Sequence, residues 1–383
     1  MRGLERGMGL ALVVTALPTM ALAADYKPVV CKSAVTYTGV PLHAPIMPVL
    51  IPETPKTALD PETVARLEAG FLQAKAATKA PAMTAAVLIP GKGAWERTES
   101  GDQPPMLFWA SAGKSLVAIV VLQLVEAGKL GLEDPISKYV AGVPNGDVVT
   151  IRDLLAHTGG LFSANEDLKA RAARRAHTLD EDVKIIARHG AISCPGERWR
   201  YSNTGYALLG KVIESVDGRT WQAAVDARIL KPLGLTKLRM LDAGDKAEDV
   251  ARLVSARETP IAPAWAGAAG PAVGAASDMA RVWAALLGGK LLKQETIQAM
   301  FGKLYPMFDA ESFYGLGVMA VEVPEVDGSK SLWLGHLGGT PGANAVVAYS
   351  VKDGVIVATA LTGDGSAAAT ANLLLRQVRS PTS

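Results

Sequence analysis

Three short motifs hold side chains whose types and spacing suit nucleophilic chemistry at a carbonyl group. In the first, Ser111 and Lys114 form the only Ser-x-x-Lys of the chain, where a long apolar helix is predicted to begin. Residues three apart share a helix face, so the Lys114 amine can reach the Ser111 hydroxyl. A serine hydroxyl becomes a good nucleophile when a desolvated lysine accepts its proton. The spacing alone would also fit an N-cap serine followed by a surface lysine.

The other two motifs lie far along the chain. Tyr201-Ser202-Asn203 is the only Tyr-x-Asn among eight tyrosines, and His336 lies in a Gly-rich run from Gly335 to Gly342. The Gly-x-Ser-x-Gly elbow of many esterases is absent, because Trp109 stands where its first glycine would be. The three motifs together therefore indicate a serine nucleophile of a different kind.

The elements that must position these motifs follow from hydrophobic periodicity. Residues 111–127 are apolar on nearly all sides, which predicts a buried helix that holds Ser111 rigidly in its first turn. Asp60 and Pro61 predict the start of an earlier helix, as N-cap and first helical residue. Short β-rich runs divided by glycine turns predict antiparallel strands. These runs cover residues 83–89, 332–336, 343–349 and 354–361, and a last helix is predicted over 367–378.

The order of these elements predicts one discontinuous α/β domain that carries an insertion. We assign residues 61–130 together with 276–383 to the α/β domain and residues 131–275 to a mainly helical inserted domain. Residues 24–60 are rich in proline and lack a period, which predicts an extended N-terminal arm. The expected fold is therefore α/β (α+β), with an antiparallel sheet flanked by helices and an all-α insert.

The first residues are typical of an export signal. Arg2 and Arg6 precede an apolar run that ends in Ala21-Leu22-Ala23, so residues 1–23 are predicted to be a cleaved signal peptide. The run contains Pro18 and is shorter than the roughly 20 residues that span a bilayer. We therefore expect a periplasmic or secreted protein that has no membrane span after cleavage.

Composition, cysteines and histidines indicate which partners, metals and cofactors to expect. The formal net charge of +2 gives no electrostatic reason to expect nucleic acid as a partner. Cys31 and Cys194 could form a disulfide in an exported protein, but their spacing leaves this open. The five histidines form no metal-binding pattern, and the chemistry suggested by Ser111 needs no cofactor.

With its motifs in this order, the chain resembles the serine β-lactamase and D,D-peptidase superfamily, in the branch of class C β-lactamases, D,D-carboxypeptidases and related esterases. The surrounding sequence is similar as well, over roughly residues 60–380. The similar stretches are Leu154-Leu155-Ala156-His157-Thr158-Gly159-Gly160-Leu161, Pro195-Gly196 and Tyr314-Gly315-Leu316-Gly317. The resemblance implies a β-lactamase/D,D-peptidase-like fold.

The resemblance also implies catalytic roles for the first two motifs. Ser111 would attack the substrate carbonyl and form an acyl-enzyme. Lys114 and Tyr201 would share the role of base, with the lysine charge lowering the pKa of the tyrosine. Asn203 would hold the Lys114 amine and the substrate amide by hydrogen bonds, whereas His157 in the neighbouring stretch is interpreted as structural.

For the third motif, the resemblance implies an oxyanion hole formed by the backbone N–H groups of Ser111 and Gly339. Gly338, Gly339 and Thr340 would together form the oxyanion and substrate-binding strand. His336 would take the place of a lysine found in many relatives and would keep a hydrogen-bonding group beside the Tyr201 oxygen.

Two departures from the family pattern bear on the substrate. Leu337 stands where many relatives have a threonine or serine that binds a substrate carboxylate, although Thr340 could substitute. Ala112-Gly113 precedes Lys114, where class C enzymes usually have a serine before the lysine. The sequence therefore favours an exported serine hydrolase that cleaves a small-molecule or peptide ester or amide. The alternatives are a β-lactamase or D,D-carboxypeptidase and a non-catalytic penicillin- or peptidoglycan-binding protein.

Overall fold

The computed structural model describes residues 26–173, 175–325 and 327–379. The predicted signal peptide, residues 1–23, lies outside these ranges, as do the first two residues of the predicted arm.

An eight-stranded antiparallel sheet forms the centre of the fold. Its strand order is β2-β1-β11-β10-β9-β8-β7-β6, so strands from both ends of the chain meet where β1 pairs with β11. A second, three-stranded sheet has the order β3-β5-β4. The strands are β1 Met83–Ile89, β2 Gly93–Glu99, β3 Leu107–Ala110, β4 Leu238–Met240, β5 Ala272–Gly274, β6 Tyr305–Pro306, β7 Ser312–Tyr314, β8 Met319–Pro324, β9 Lys330–Thr340, β10 Ala343–Ser350 and β11 Val355–Thr362.

Helices cover both faces of the large sheet, as predicted for an α/β protein. Helices α1 and α10 pack on one face and α8 packs on the other. The helices are α1 Pro61–Thr78, α2 Lys114–Glu126, α3 Ile151–Ala156, α4 Leu168–Ala173, α5 Leu179–His189, α6 Asn203–Asp217, α7 Trp221–Val225, α8 Ala276–Leu287, α9 Gln294–Met300 and α10 Ala367–Val378.

The side chains of the central strands point in turn to the two faces of the sheet, which explains why helices cover both faces. In β1, Ala85 and Val87 pack into the apolar cluster under α1 and α10, whereas Ala86 and Leu88 pack into the cluster under α8. Successive strand residues point to opposite faces, so a strand buried on both faces is apolar throughout. Every residue of β11 is buried for the same reason.

The predicted start of α1 is confirmed. The Asp60 carboxylate accepts a hydrogen bond of 2.8 Å from the Thr63 backbone N–H, and Pro61 is the first helical residue. This arrangement satisfies one of the N–H groups that a helix start leaves without a backbone partner.

The inserted segment differs from the prediction in one respect. Residues 131–275 are mainly helical, but they are not all-α, because they contribute β4 and β5. These two short strands pair with β3, which leads directly to Ser111. A three-residue strand in an alanine- and glycine-rich run has little sequence signal of its own, and it forms here through pairing with β3 and β4.

The N-terminal arm lies against the segment that precedes Tyr201. A disulfide joins Cys31 to Cys194. The backbone N–H of Val35 donates to Pro195 O at 3.0 Å, and the N–H of Thr38 donates to Glu197 O at 2.9 Å. The arm is therefore extended, as predicted, but it is fixed to the inserted segment by covalent and hydrogen bonds.

Among the described residues, the model contains no helix with the length and apolar character needed to cross a bilayer.

Candidate active site

Ser111 lies at the junction between β3 and α2. A short 3-10 turn, Ser111–Gly113, begins with the serine and leads into the helix, so Ser111 is in the first turn as predicted. Ala110 before it has φ 47° and ψ −132°, a conformation that L-residues rarely adopt. Such strain persists only where the surroundings enforce it. Gly270 helps to enforce it, because a Cβ at this position would lie 2.4 Å from Ala110 O.

Lys114 is fully buried beside Ser111. Its Nζ lies 3.1 Å from Ser111 Oγ and 2.7 Å from Asn203 Oδ1, and it also donates to the Ala269 carbonyl. Burial lowers the pKa of Lys114 well below its ordinary value, because the charged amine loses its hydration. Asn203 Oδ1 and Ala269 O are acceptors, so they take both protons of a neutral amine. The lone pair of the neutral amine is then free to face Ser111 Oγ.

Tyr201 contacts the Ser111 hydroxyl as well. Its hydroxyl donates a hydrogen bond of 2.7 Å to Ser111 Oγ. The expectation that Lys114 lowers the pKa of Tyr201 is wrong. Burial raises the pKa of Tyr201 well above its ordinary value near 10, and its hydrogen bond to Ser111 opposes this only in part. A lysine that burial keeps neutral has no charge with which to stabilise a phenolate, so Tyr201 remains a hydrogen-bond donor.

Asn203 begins α6 and connects that helix to the site. Its side chain accepts from Lys114, and its backbone N–H donates to Ser163 Oγ at 3.0 Å. The structure thus brings together Ser111, Lys114, Tyr201 and Asn203, as the sequence predicted. Ser163 and the Ala269 carbonyl were not predicted, since a backbone acceptor and a serine outside any motif carry no distinguishing sequence signal.

The glycines of β9 allow this strand to lie against the nucleophile. A Cβ on Gly338 would be 2.1 Å from Trp109 O and 3.1 Å from Ser111 N, a space in which only glycine fits. The backbone N–H of Leu337 points towards β8, where it contacts Met319 Sδ. Because alternate residues of a strand direct their N–H groups to the same side, the N–H of Gly339 points the same way. The pairing of β8 with β9 ends at Gly335, so this N–H lies beyond that pairing.

Thr340 and Leu337 lie on the strand that is predicted to bind the substrate. The Thr340 hydroxyl is buried and has no hydrogen-bond partner among the described residues, which leaves it free to bind a polar group. Leu337 is partly exposed and packs against the apolar cluster that includes Tyr201. The strand therefore offers a hydroxyl at Thr340 and an apolar side chain at Leu337.

His336 has hydrogen-bond partners that the sequence did not predict. Its Nδ1 donates to Leu337 O at 2.6 Å, and its Nε2 lies 3.0 Å from the Tyr314 hydroxyl. Burial lowers the pKa of His336 to about 3, because the charged ring would lose its hydration. A neutral ring that donates through Nδ1 must accept through Nε2. His336 is thus a hydrogen-bond acceptor for Tyr314, whereas the Tyr201 hydroxyl is bonded to Ser111.

Within the described ranges, no three or more His, Cys, Asp or Glu side chains are grouped so that they could hold a metal ion.

Comparison with known proteins agrees with this geometry. The model of the family described as Beta-lactamase matches residues 66–379. PbpX of Bacillus subtilis (strain 168), named as a penicillin-binding protein, is 32% identical over 213 residues, which cover 54% of this chain and 51% of PbpX. The teichoic acid D-alanine hydrolase of Staphylococcus aureus is 28% identical over 137 residues, which cover 36% of this chain and 33% of that protein. The alignments thus span about half or less of these relatives.

A solved structure covers more of the chain. The D-stereospecific amidohydrolase from Streptomyces sp. is 27% identical and has a TM-score of 0.68, and the match covers 80% of this chain and 97% of that one. The region matched by the family model, residues 66–379, contains all three motifs. The chain therefore belongs to the Beta-lactamase family, within the serine β-lactamase and D,D-peptidase superfamily.

Proposed function

We propose that this chain is an exported serine hydrolase that cleaves an ester or amide bond through an acyl-enzyme on Ser111. One observation carries the proposal: Ser111 Oγ lies 3.1 Å from the amine of the fully buried Lys114 and 2.7 Å from the Tyr201 hydroxyl. Proximity to an amine with a lowered pKa supplies what a serine lacks as a nucleophile.

Acylation can be written with these groups alone. Lys114 Nζ accepts the Oγ proton as Oγ forms a bond to the carbonyl carbon, and the electron pair of the C=O bond moves to oxygen. The N–H groups of Ser111 and Gly339 stabilise that oxyanion, at about 3 kcal/mol for each donor. Collapse of the intermediate breaks the bond to the leaving group, which takes a proton from Lys114 by way of the Tyr201 hydroxyl. In the second step water gives a proton to Lys114 as it attacks the acyl carbon. Collapse of that intermediate breaks the bond between the acyl carbon and Ser111 Oγ, which takes the proton back as the acid product leaves.

The substrate class follows from the β9 strand. A substrate carboxylate at the position of Leu337 would lose a hydrogen bond worth about 1.5–3 kcal/mol. We therefore infer that the preferred substrate is an ester, or an amide without a free carboxylate. The relatives named as amidohydrolase and D-alanine hydrolase support hydrolysis of such compounds.

Export is part of the same proposal. The Cys31–Cys194 disulfide supports it, because disulfides persist in oxidising compartments. The intact mass of the protein recovered from its native host tests this step. A mass that starts after Ala23 or Ala24 supports export, whereas one that retains residues 1–20 contradicts it.

Intact mass spectrometry with a fluorophosphonate and a penicillin tests the chemistry. We expect a fluorophosphonate adduct that is lost in Ser111→Ala. Ser115→Ala is the matched control, because the Ser115 hydroxyl donates to Gly317 O at 2.8 Å and takes no part in the proposed reaction. A stable penicillin adduct would favour the D,D-peptidase alternative, and rapid nitrocefin hydrolysis without ester hydrolysis would favour a β-lactamase. No adduct from either reagent would favour a non-catalytic binding protein.

A further inference from the structure

A small cavity lies between the end of α3 and the Tyr201-Ser202-Asn203 motif. Its polar lining comes from Asp153, His157, Arg200 and Ser202. Its volume, measured as the space open to the centre of a water molecule, is about 10 Å³, close to that of a single water site. The His157 ring lines this cavity and also packs against Tyr201, since the two ring centroids lie 4.3 Å apart.

Three buried polar atoms on residues that line this cavity have no hydrogen-bond partner in the part of the chain that the structure describes. They are His157 Nε2, Arg200 Nη1 and Ser202 Oγ. The His157 and Ser202 residues are only 2% and 5% exposed. A buried polar group without a partner is costly, so native proteins satisfy nearly all of them with protein atoms or ordered water.

The hydrogen-bonding character of these atoms follows from their neighbours. His157 Nδ1 accepts from the Ser202 backbone N–H at 3.3 Å, so the proton of the neutral ring is on Nε2. Burial lowers the pKa of His157 well below its ordinary value, which keeps the ring neutral. Arg200 donates through Nη2 to Glu166 at 2.5 Å. The protons of its Nη1 therefore remain available to a group in the cavity. The lining therefore offers two donors and one hydroxyl.

Asp153 adds an acceptor to this set. Its Oδ2 already accepts from the Thr150 N–H and hydroxyl. Among the described residues, its Oδ1 accepts only from the Thr158 hydroxyl, at 2.6 Å. A carboxylate oxygen can accept two hydrogen bonds, so Oδ1 has one position left. An anion at this place would be repelled by the carboxylate, and a cation would be repelled by the Arg200 guanidinium.

We propose that the cavity binds one ordered water molecule, held by Asp153, His157, Arg200 and Ser202. Water has two protons and two lone pairs. It would accept from His157 Nε2 and Arg200 Nη1, and it would donate to Asp153 Oδ1 and Ser202 Oγ. This water links α3 to the Tyr201-Ser202-Asn203 motif and fixes the ring on which Tyr201 rests. It is thus a positioning site, distinct from the groups of the proposed reaction.

A crystal structure of the mature protein that resolves ordered solvent tests the site, with a second crystal soaked in sodium bromide. We expect one density peak within hydrogen-bond distance of all four side chains and no bromide anomalous signal at that position. Absence of a peak, or a peak that cannot reach these groups, would overturn the proposal. A bromide signal in the cavity would replace water with an anion and would overturn it as well.

The positioning role is tested with Ser202→Ala and Ser202→Thr. Loss of the hydroxyl removes one partner of the water, and we expect roughly fivefold slower acylation by a fluorophosphonate, about the effect of one net hydrogen bond. Ser202→Thr keeps a hydroxyl and should restore the rate, which a simple packing role would not explain. Equal acylation rates for Ser202→Ala and the wild type would contradict the positioning role. Failure of every variant to be labelled would instead contradict the proposed hydrolase function.

Discussion

The arrangement around Lys114 shows how burial prepares a base. The side chain is fully enclosed, and two of its hydrogen-bond partners, Asn203 Oδ1 and Ala269 O, can only accept. These acceptors orient the amine, while burial lowers its pKa. The amine can therefore be deprotonated at a pH where an exposed lysine would be charged, which is the condition for accepting the Ser111 proton.

The pH dependence of acylation follows from this environment. Lys114 must be neutral to accept a proton, so activity should fall as pH drops through its lowered pKa. We expect the acidic limb of kcat/KM to lie well below the ordinary lysine pKa of 10.5. Lys114→Ala should lower kcat by about 10²- to 10⁴-fold, the usual contribution of a general base. An acidic limb near 10.5, or full activity in Lys114→Ala, would contradict this role.

The sequence predicts a site residue correctly where a short motif is enough to identify it. Ser111, Lys114, Tyr201 and Asn203 were all found from short spacings, and the structure brings them together. The prediction fails where the environment decides the chemistry. The pKa of Tyr201 and the partner of His336 depend on burial and on Tyr314, which reaches the histidine only through the order of β7, β8 and β9.

At the scale of elements, close packing of β9 against the turn that carries Ser111 makes a sharp prediction. Gly338→Ala would place a Cβ 2.1 Å from Trp109 O, so the strand must move away from the nucleophile. We expect loss of thermal stability and of fluorophosphonate labelling. Gly339→Ala is the matched control, because its Cβ would meet only Asn344 Nδ2, at 3.6 Å, and its backbone N–H is retained. Similar behaviour of the two variants would show that this contact does not position the strand.

Helix α5 contains a largely buried carboxyl group, that of Asp182, whose ionised form lowers the stability of the folded protein. Burial raises the pKa of Asp182 to about 7 from 3.8, and Glu181 contributes to this shift. The folded protein therefore holds a proton that the unfolded chain loses, so stability should fall as pH rises from about 4 to about 7. Asp182→Asn should remove this loss and be more stable than the wild type at pH 8. Urea unfolding of both proteins at pH 5 and pH 8 measures this difference in the free energy of unfolding.

Asp180 in the same turn is the control for this prediction. Its side chain is 73% exposed and forms an ion pair of 3.0 Å with Lys211. We expect Asp180→Asn to change stability little at either pH, because exposed ion pairs contribute about 0–1 kcal/mol. An equal gain in both variants would point to net charge as the cause.

The elements themselves were largely predictable. β1 and α10 have the predicted bounds, because a continuous apolar run of 7 residues and a helical pattern of 12 residues are strong signals. β4 and β5 were missed, since three residues carry no readable period and the strands exist only through pairing across the insert.

For the whole molecule, the disulfide and the arm act together on the segment before Tyr201. The bond between Cys31 and Cys194 links residues 163 apart. Removing such a link in Cys31→Ser/Cys194→Ser should lower the free energy of unfolding by about 2–5 kcal/mol. Chemical denaturation of the oxidised wild type and the double variant measures this. Reduced wild type should match the double variant, and a difference between them would mean that the serines themselves perturb the fold.

The same disulfide closes a loop that contains some of the site residues and leaves the others outside. Residues 31–194 form a closed covalent ring that contains Ser111 and Lys114, whereas Tyr201 and Asn203 lie outside it. A single proteolytic cut in an exposed part of the ring would therefore release no fragment until the disulfide is reduced. Nicked protein would run as one species on a non-reducing gel and as two after reduction. Both halves of the site would therefore stay attached to each other after such damage.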